Sequence, residues 1–387
     1  MSNERIQLSD WNKVGRHIGK RLRDVLRPPR DDGPSKEERE AQRLRDQRRG
    51  FAYFDTFDEV LRWSSGDVFA RQQANTSLLV RPATAVHDQK SPSTKLILCH
   101  DYEGGYHDYE SVRSEHLQNE LYSCEYLQYV ETFIYFSHKL VCCPPPTWTN
   151  LLHRNGVKVL GTFIIEPQTP GIERMLEEAD GECVVAKRLA SMASTFGFDG
   201  WLLNIEKEFP YHVKDLTAKL TRFIERLKAY LGPDGLVIWY DALTTANEVE
   251  YQNGLSSENA AFARAADALF TNYRWTPKKL VDSKVVAQWH GLEASQIYFG
   301  IDLWAQNTDM PGPPRVTYPE KGGGGTNTGF VCSPSVQSLL DTVVLLDSQA
   351  MLERRIKLSQ THILQSLGLH IQYSILCYMD VIISFNI

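Results

Sequence analysis

A carboxylic acid and a primary amide stand two residues apart in the segment DGWLLNIE, residues 199–206. Side chains of an extended strand alternate between its two faces, so Asn204 and Glu206 project to one side and Leu203 and Ile205 to the other. A carboxyl group can protonate the leaving oxygen of a glycosidic bond, while in some glycosidases the 2-acetamido group of the substrate is the nucleophile. Such chemistry needs one acid/base carboxyl and one polar group that holds the acetamide. This pair could supply both.

An Asn-x-Glu triplet is a weak signal by itself, because polar residues also cap buried strands. The alternative from the same residues is a conventional two-carboxylate glycosidase that uses Glu166 and Glu206 from adjacent strands. Aromatic residues near the predicted strand ends favour a sugar site, because flat aromatic faces suit the apolar faces of pyranose rings. These residues are Trp201, Trp239, Tyr240, Tyr273, Trp275 and Trp304.

Seven apolar runs, rich in β-branched and aromatic residues, alternate with helical stretches from residue 95 onward. The alternation predicts βα units, and the nearly continuous apolarity predicts strands buried on both faces of a parallel sheet. The runs are residues 95–102, 129–138, 157–166, 199–206, 235–243, 268–275 and 296–305. Polar or aromatic groups close each run, where a (β/α)8 barrel builds its active site. We therefore expect an α/β fold with a TIM-type barrel.

The charge of the chain is unevenly distributed. Of its 387 residues, 42 are Lys or Arg and 48 are Asp or Glu, a net charge of −6 that gives no reason to expect a nucleic-acid partner. Residues 1–50 nevertheless carry a local charge of +5. Within them, Trp11, Val14, Ile18 and Leu22 recur at helical spacing among basic residues, which predicts an amphipathic basic helix. Residues 30–50 should form a solvated linker or an exposed helix.

The seven cysteines are odd in number and have no CxxC spacing, so we expect reduced thiols in a cytoplasmic protein. Basic residues interrupt the first thirty positions, which argues against a secretory signal. The most apolar stretch, residues 374–387, is too short to span a bilayer. We therefore expect no transmembrane segment, and the residue pattern suggests no metal site or other cofactor.

Seven segments together resemble the glycoside hydrolase family 85 endo-β-N-acetylglucosaminidases, and they occur in that family's order. They are HDYEGGY (100–106), ETFIYFSH (131–138), PPTWTNLLHRNGVKVLGTFIIE (145–166), FDGWLLNIE (198–206), WYDAL (239–243), FTNYRW (270–275) and YFGIDLWA (298–305). The resemblance implies a (β/α)8 hydrolase that cleaves the β-1,4 bond between the two core N-acetylglucosamines of N-glycans, with retention of configuration. Its partners would be the N-glycans of glycoproteins or free oligosaccharides.

The same resemblance implies roles for individual residues. Glu206 would be the general acid/base, Asn204 would orient the 2-acetamido nucleophile, and Tyr240 would help to stabilise an oxazoline-like intermediate. Trp275 resembles a wall of the sugar site. Glu166 and Asp302 match polar strand ends of the family, where they would bind sugar hydroxyls or serve only as strand ends.

The chain departs from the family pattern after residue 330. The family continues with an eighth strand and often with β-sandwich regions, and both are missing or replaced here. Either the tail supplies a substitute strand, from Ile371–Leu376 or Val381–Phe385, or the reading frame past 330 is not that of a working enzyme. We divide the chain into a basic arm and linker (1–50), a hydrolase barrel (51–330) and an atypical tail (331–387). An inactive or glycan-binding relative is therefore the alternative function.

Overall fold

The computed structural model describes residues 35–81, 95–101, 110, 127 and 130–302, together with short strands at 316–317, 326–327 and 379–384. The predicted amphipathic helix of the basic arm lies outside these residues. Helix α1 (Lys36–Arg49) occupies the predicted linker and is largely exposed. A capping box starts it, because the backbone N–H of Glu38 donates to Ser35 Oγ and that of Ser35 donates to Glu38 Oε2.

The described residues form fourteen strands and six further α-helices, besides short 3-10 turns. The strands are β1 (Ala52–Phe54), β2 (Lys95–Asp101), β3 (Thr132–Phe136), β4 (Val141–Cys143), β5 (Lys158–Ile165), β6 (Glu178–Ala179), β7 (Glu182–Cys183), β8 (Gly200–Ile205), β9 (Leu236–Tyr240), β10 (Ala268–Thr271), β11 (Ile297–Asp302), β12 (Val316–Thr317), β13 (Thr326–Asn327) and β14 (Met379–Ser384). The helices are α2 (Phe57–Arg62), α3 (Pro146–Arg154), α4 (Val184–Phe196), α5 (Leu216–Leu231), α6 (Ala260–Ala265) and α7 (Pro277–His290). None of the described helices is long and apolar enough to cross a membrane.

All seven predicted strands are present, as β2, β3, β5, β8, β9, β10 and β11. Neighbouring members of this set pair in parallel, from β2–β3 through β3–β5, β5–β8, β8–β9 and β9–β10 to β10–β11. Helices α4 to α7 each connect one parallel strand to the next. The fold is therefore a mixed α/β fold with a parallel sheet, as the alternation of apolar runs predicts.

The eighth position of the sheet differs from the regular pattern. Strand β14 lies between β11 and β2 and runs antiparallel to both. It overlaps Val381–Phe385, so the tail does supply a substitute strand, although not a parallel one. The sheet order is β1-β4-β5-β3-β2-β14-β11-β10-β9-β8, and β8 also pairs with β5. A β-strand of reversed direction can still form antiparallel ladders with both of its neighbours.

Strand alternation divides the core into two clusters. The inner one gathers side chains from all seven parallel strands: Ile97, Cys99, Ile134, Leu160, Leu202, Ile238, Tyr240, Ala242, Ala268, Phe270 and Tyr298. The outer one lies between the sheet and the helices and contains Trp201, Trp239 and Trp275, each 2% exposed or less. The expectation that these tryptophans form a rim for sugars is therefore wrong for Trp201 and Trp239, because their strand parity turns them toward the helices.

Strand β8 begins at a glycine that the packing requires. Gly200 has a φ of 154°, and a Cβ on it would lie 1.9 Å from the carbonyl oxygen of Leu236 on β9. Beside it, the Asp199 carboxylate accepts hydrogen bonds from the backbone N–H of Val159 and from His153. These contacts fix where β8 starts, and therefore where Asn204 and Glu206 stand at its other end.

Candidate active site

The carboxyl ends of β5 and β8 bring two carboxylates to adjacent positions. The register aligns Ile164 with Asn204 and Ile165 with Ile205. The backbone N–H of Glu206 then donates to the carbonyl oxygen of Ile165 at 2.7 Å, which continues the ladder by one residue. Glu166 and Glu206 consequently follow the ends of neighbouring strands, as the positions of their apolar runs predict.

Asn204 and Glu206 form a hydrogen-bonded pair. Asn204 is 4% exposed, whereas Glu206 is half-buried. The Asn204 amide nitrogen donates to Glu206 Oε1 at 3.1 Å. Asn204 Oδ1 is buried and has no hydrogen-bond partner among the residues that the structure describes. Because a buried acceptor without a donor is costly, this oxygen could receive an N–H or O–H group from a ligand.

Tyr240, at the end of β9, is joined to the end of β10. Its hydroxyl donates to Asn272 Oδ1 at 3.0 Å, and its ring packs edge-on against Phe270 with centroids 5.0 Å apart. Only 6% of Tyr240 is exposed. The phenol of Tyr240 is therefore held from two sides beside the strand that carries Asn204.

Asp241 follows Tyr240 and is 1% exposed. Burial raises the pKa of its carboxyl to about 7, although hydrogen bonds from four N–H groups oppose the shift. The donors are the side chain of Asn259 at 2.9 Å and the backbone groups of Gln252, Asn253 and Asn272. Asp241 thus fastens the loop after β9 to the end of β10.

Tyr251, on that loop, connects Tyr240 with Glu206. Its ring packs edge-on against Tyr240 with centroids 6.2 Å apart. Burial, the negative charge of Glu206 and a hydrogen bond to Glu206 raise the pKa of Tyr251 from 10.0 to about 12. The hydroxyl of Tyr251 is therefore close to the predicted acid/base, and Glu206 and Tyr240 belong to one site.

Glu166 occupies the other side of Glu206. Its Oε1 lies 2.7 Å from Nδ1 of His138, which follows β3, and its Oε2 accepts from the side-chain amide of Gln168. His138 is exposed and packs edge-on against Phe136. The ends of β3 and β5 thus present the hydrogen-bonded pair of His138 and Glu166, to which a sugar hydroxyl could bind.

The two remaining predicted site residues are differently placed. Trp275 is 2% exposed, its indole N–H donates to the carbonyl oxygen of Gly300 at 2.7 Å, and its ring packs against Phe299. In this structure it is therefore a core residue, and direct contact with a sugar stays a prediction. Asp302 ends β11, and its side chain lies outside the described residues, as does Trp304.

Sequence reasoning overlooked Tyr251, Asn253 and Asn272. Asn272 does lie in the FTNYRW segment, and the Asn-Gly dipeptide at residues 253–254 could have indicated a turn. No spacing rule, however, connects a loop residue to the end of a different strand. In the described part of the chain, no group of three or more His, Cys, Asp and Glu residues could hold a metal ion.

Comparison with known proteins identifies relatives of this chain. The model of Glycosyl hydrolase family 85 matches residues 106–342. The cytosolic endo-beta-N-acetylglucosaminidase of Mus musculus is 35% identical over 273 residues, covering 67% of this chain and 35% of that protein. The cytosolic endo-beta-N-acetylglucosaminidase 2 of Arabidopsis thaliana is 36% identical over 220 residues, covering 55% of this chain and 30% of that protein. The chain thus spans about a third of the length of these curated relatives.

A solved structure has a similar fold. It is the glycoside hydrolase domain of Spr0440, Endo-D from Streptococcus pneumoniae R6, with a TM-score of 0.53 and 25% sequence identity. The match covers 65% of this chain and 42% of that chain.

Proposed function

Because this chain belongs to glycosyl hydrolase family 85, we propose that it is an endo-β-N-acetylglucosaminidase that hydrolyses the β-1,4 bond in the N,N'-diacetylchitobiose core of N-glycans. The observation that carries the proposal is the buried Asn204 Oδ1, which lacks a described partner beside the Glu206 carboxyl. An acetamide N–H is the donor that such an oxygen would accept. The substrates are N-glycans of glycoproteins or free oligosaccharides.

The reaction proceeds by substrate assistance. The acetamide carbonyl oxygen attacks C1 of its own sugar, the bond from C1 to the leaving oxygen breaks, and the Glu206 carboxyl gives its proton to that oxygen. Glu206, now a carboxylate, then takes a proton from water as the water attacks C1 and the C1–oxygen bond of the oxazolinium ring breaks. The acetamide is restored and the configuration at C1 is retained, because C1 is attacked twice.

The other side chains of the site bind and orient the sugar. Asn204 holds the acetamide in the attacking geometry, and Tyr240 stabilises the ring that forms. We assign the binding of sugar hydroxyls to Glu166, whose carboxylate follows the end of β5 next to the end of β8. We extend that role to Asp302, which ends β11. Trp275 supports the site from the core, through its contact with the Gly300 backbone.

We also propose that the sheet closes into a TIM-type barrel. In support, β5, β3, β2, β14, β11, β10, β9 and β8 pair in that order and β8 pairs with β5. An inner cluster drawn from seven of these strands agrees with a barrel interior. The antiparallel β14 takes the eighth position, and the polar strand ends then surround one opening, as in other barrels of this type.

The proposed location is the cytoplasm. The cysteine pattern favours a reducing compartment, and the curated relatives are named as cytosolic enzymes. Glycans released from glycoproteins, or glycoproteins awaiting degradation, would be substrates there.

The decisive experiment is digestion of a high-mannose glycopeptide followed by mass spectrometry. The wild-type chain should release peptide that carries one N-acetylglucosamine, and Glu206→Gln should lower the rate by about 10²- to 10⁴-fold because the proton donor is lost. Glu208→Gln is the matched control, since Glu208 is exposed on the same loop and should leave the rate unchanged. Full activity of Glu206→Gln would refute the assignment.

Asn204→Ala separates substrate assistance from a two-carboxylate mechanism. It should slow hydrolysis of the glycopeptide by about tenfold or more, because one orienting hydrogen bond is lost, while a preformed sugar oxazoline reacts at a nearly unchanged rate. Equal loss with both substrates would contradict this role for Asn204. Glycan binding by the wild-type chain without any turnover would instead identify the inactive, glycan-binding relative.

A further inference from the structure

A chain of hydrogen bonds ends at the hydroxyl of Tyr240. The hydroxyl donates to Asn272 Oδ1 at 3.0 Å, and Asn272 Nδ2 donates to Asn253 Oδ1 at 3.1 Å. Asn253 Oδ1 also accepts from the backbone N–H of Arg274 at 2.9 Å. The backbone N–H of Asn253 donates to the buried Asp241 carboxylate at 2.6 Å. The proposed oxazoline-stabilising phenol is thus connected to groups that do not face the substrate.

Backbone groups fix the direction of this chain. The N–H of Arg274 can only donate, so the Asn253 atom that it reaches is an oxygen. The other amide atom of Asn253 lies 2.9 Å from the carbonyl oxygen of Tyr251, which can only accept, so it is the nitrogen. The Asn272 atom that faces Asn253 Oδ1 must therefore donate. The opposite atom of Asn272, which faces Tyr240, is consequently its oxygen.

A phenol has one proton, and Tyr240 gives it to Asn272. While this bond is held, the phenol oxygen can meet a further group only as an acceptor. That polarity suits the intermediate of substrate assistance. Attack by the acetamide oxygen produces an oxazolinium ring that carries positive charge and an N–H group, and the neutral amide of Asn204 cannot remove that proton as a carboxylate could.

We propose that Asn272 is a positioning residue for the reaction: it takes the proton of Tyr240, so that the phenol oxygen turns its lone pairs toward the positive charge of the acetamide ring, whose single N–H is held by Asn204 Oδ1. Asn253 and Asp241 hold the Asn272 amide in the required orientation. The inference deepens the proposed function and rests on it. Removing the Asn272 oxygen would free the Tyr240 proton, which could then compete for the acetamide oxygen that must attack C1.

A double-mutant cycle tests whether Asn272 acts through Tyr240. Asn272→Leu should lower kcat on the glycopeptide by about tenfold and change KM by less than about twofold, the effect of one lost hydrogen bond in the transition state. In a Tyr240→Phe background the same change should cost less than about twofold, because no phenol remains to position. Equal losses in both backgrounds would identify a merely structural residue and overturn the proposal.

Asn150→Leu is the matched control. Like Asn272 Oδ1, Asn150 Oδ1 is a side-chain amide acceptor; it accepts hydrogen bonds from the backbone N–H groups of Asn75 and Thr76, and neither donor belongs to the site. This variant should leave kcat unchanged in both backgrounds, and thermal unfolding of every variant gives its loss of stability. Asn272→Ala provides the same cycle if the leucine variant does not fold.

Two readouts need no turnover. In protein labelled with ¹³Cζ-tyrosine, the resonance of Tyr240 is assigned by its loss in Tyr240→Phe. This resonance should move in Asn272→Leu and stay in place in Asn150→Leu. An unmoved resonance in Asn272→Leu would overturn the hydrogen bond.

The second readout is the binding of analogues of the oxazoline ring. Asn272→Leu should weaken binding of a cationic amidinium analogue by about tenfold, and binding of a neutral thiazoline analogue much less. Equal weakening would refute the acceptor role. A wild-type chain without turnover would refute the proposed function alone, because both readouts still judge Asn272.

Discussion

The phenol of Tyr251 reports the charge of the carboxylate beside it. Burial and Glu206 raise the pKa of Tyr251 to about 12, because a negative neighbour disfavours the tyrosinate. In Glu206→Gln that charge is gone, so the pKa of Tyr251 should fall toward 10.0 without reaching it, since burial persists. Absorbance of tyrosinate during a titration from pH 8 to pH 13, compared with Tyr251→Phe to identify the signal, measures the shift.

The control for this titration is Glu208→Gln. Glu208 is exposed, two residues from Glu206, and does not contribute to the pKa shift of Tyr251. Its replacement should leave the titration of Tyr251 where the wild type has it. If Glu206→Gln and Glu208→Gln gave the same curve, Tyr251 would not be a neighbour of the proposed acid/base, and the site would lose its connection between Glu206 and Tyr240.

Single residues of the site were predictable only where strand geometry applies. The period of two places Asn204 and Glu206 on one face from the sequence alone, and the two side chains do form a hydrogen bond. The same period, applied to Trp201, would have placed it on the opposite face, in the outer core where it lies. Asn253 and Asn272 meet across 19 residues of chain, and no local pattern indicates such a contact.

Strand β8 is the element on which the site depends, and its first residue is the sensitive point. Gly200→Ala should lower the free energy of unfolding by at least about 2 kcal/mol, because the new Cβ would overlap the Leu236 carbonyl oxygen and φ is 154°. Displacing the start of β8 from β9 would also move Asn204 and Glu206 away from Tyr240. We expect turnover to fall further than the folded fraction accounts for, as measured by denaturant unfolding and glycopeptide digestion together.

A glycine with room for a methyl group provides the comparison for that experiment. Gly181 also has a positive φ, 78°, but a Cβ there would meet no atom within 4 Å. Gly181→Ala should therefore cost only the backbone strain, about 1 kcal/mol, and should not alter turnover. If Gly200→Ala were no more disruptive than Gly181→Ala, close strand packing would not be what fixes β8.

At the level of elements, apolar runs predicted the seven parallel strands because burial on both faces is a strong local signal. In the tail the sequence offered two candidate strands, Ile371–Leu376 and Val381–Phe385, but it did not indicate the direction of either one. Strand β14 of the tail pairs with β11 and β2, and the direction of a strand depends on its neighbours rather than on its own composition. A family pattern that expects a parallel eighth strand therefore could not indicate an antiparallel one.

Distant parts of the molecule are joined by one buried ion pair. His153 on α3 donates to Asp199 at the start of β8 and to the carbonyl oxygen of Thr76, at 2.8 Å and 2.7 Å. Both ring nitrogens face acceptors, so the imidazolium is the form that satisfies both. Burial alone would lower the pKa of His153, but Asp199 and the Thr76 carbonyl outweigh burial and raise the pKa above 6.5.

This ion pair makes the stability of the whole molecule depend on pH. A histidine whose pKa is higher in the folded state stabilises fully below its unfolded pKa, and the contribution is lost as the pH rises through the folded pKa. The unfolding free energy of wild type minus that of His153→Gln should therefore be constant below about pH 6 and should fall above it. The total fall should be about 1.4 kcal/mol for each pH unit by which folding raises the pKa of His153. Denaturant unfolding from pH 5.5 to 9 measures the difference. His212→Gln, an exposed control, should give a flat difference. A flat result for His153→Gln as well would show that the imidazolium is not favoured by folding, and that α3 and β8 are held together by packing alone.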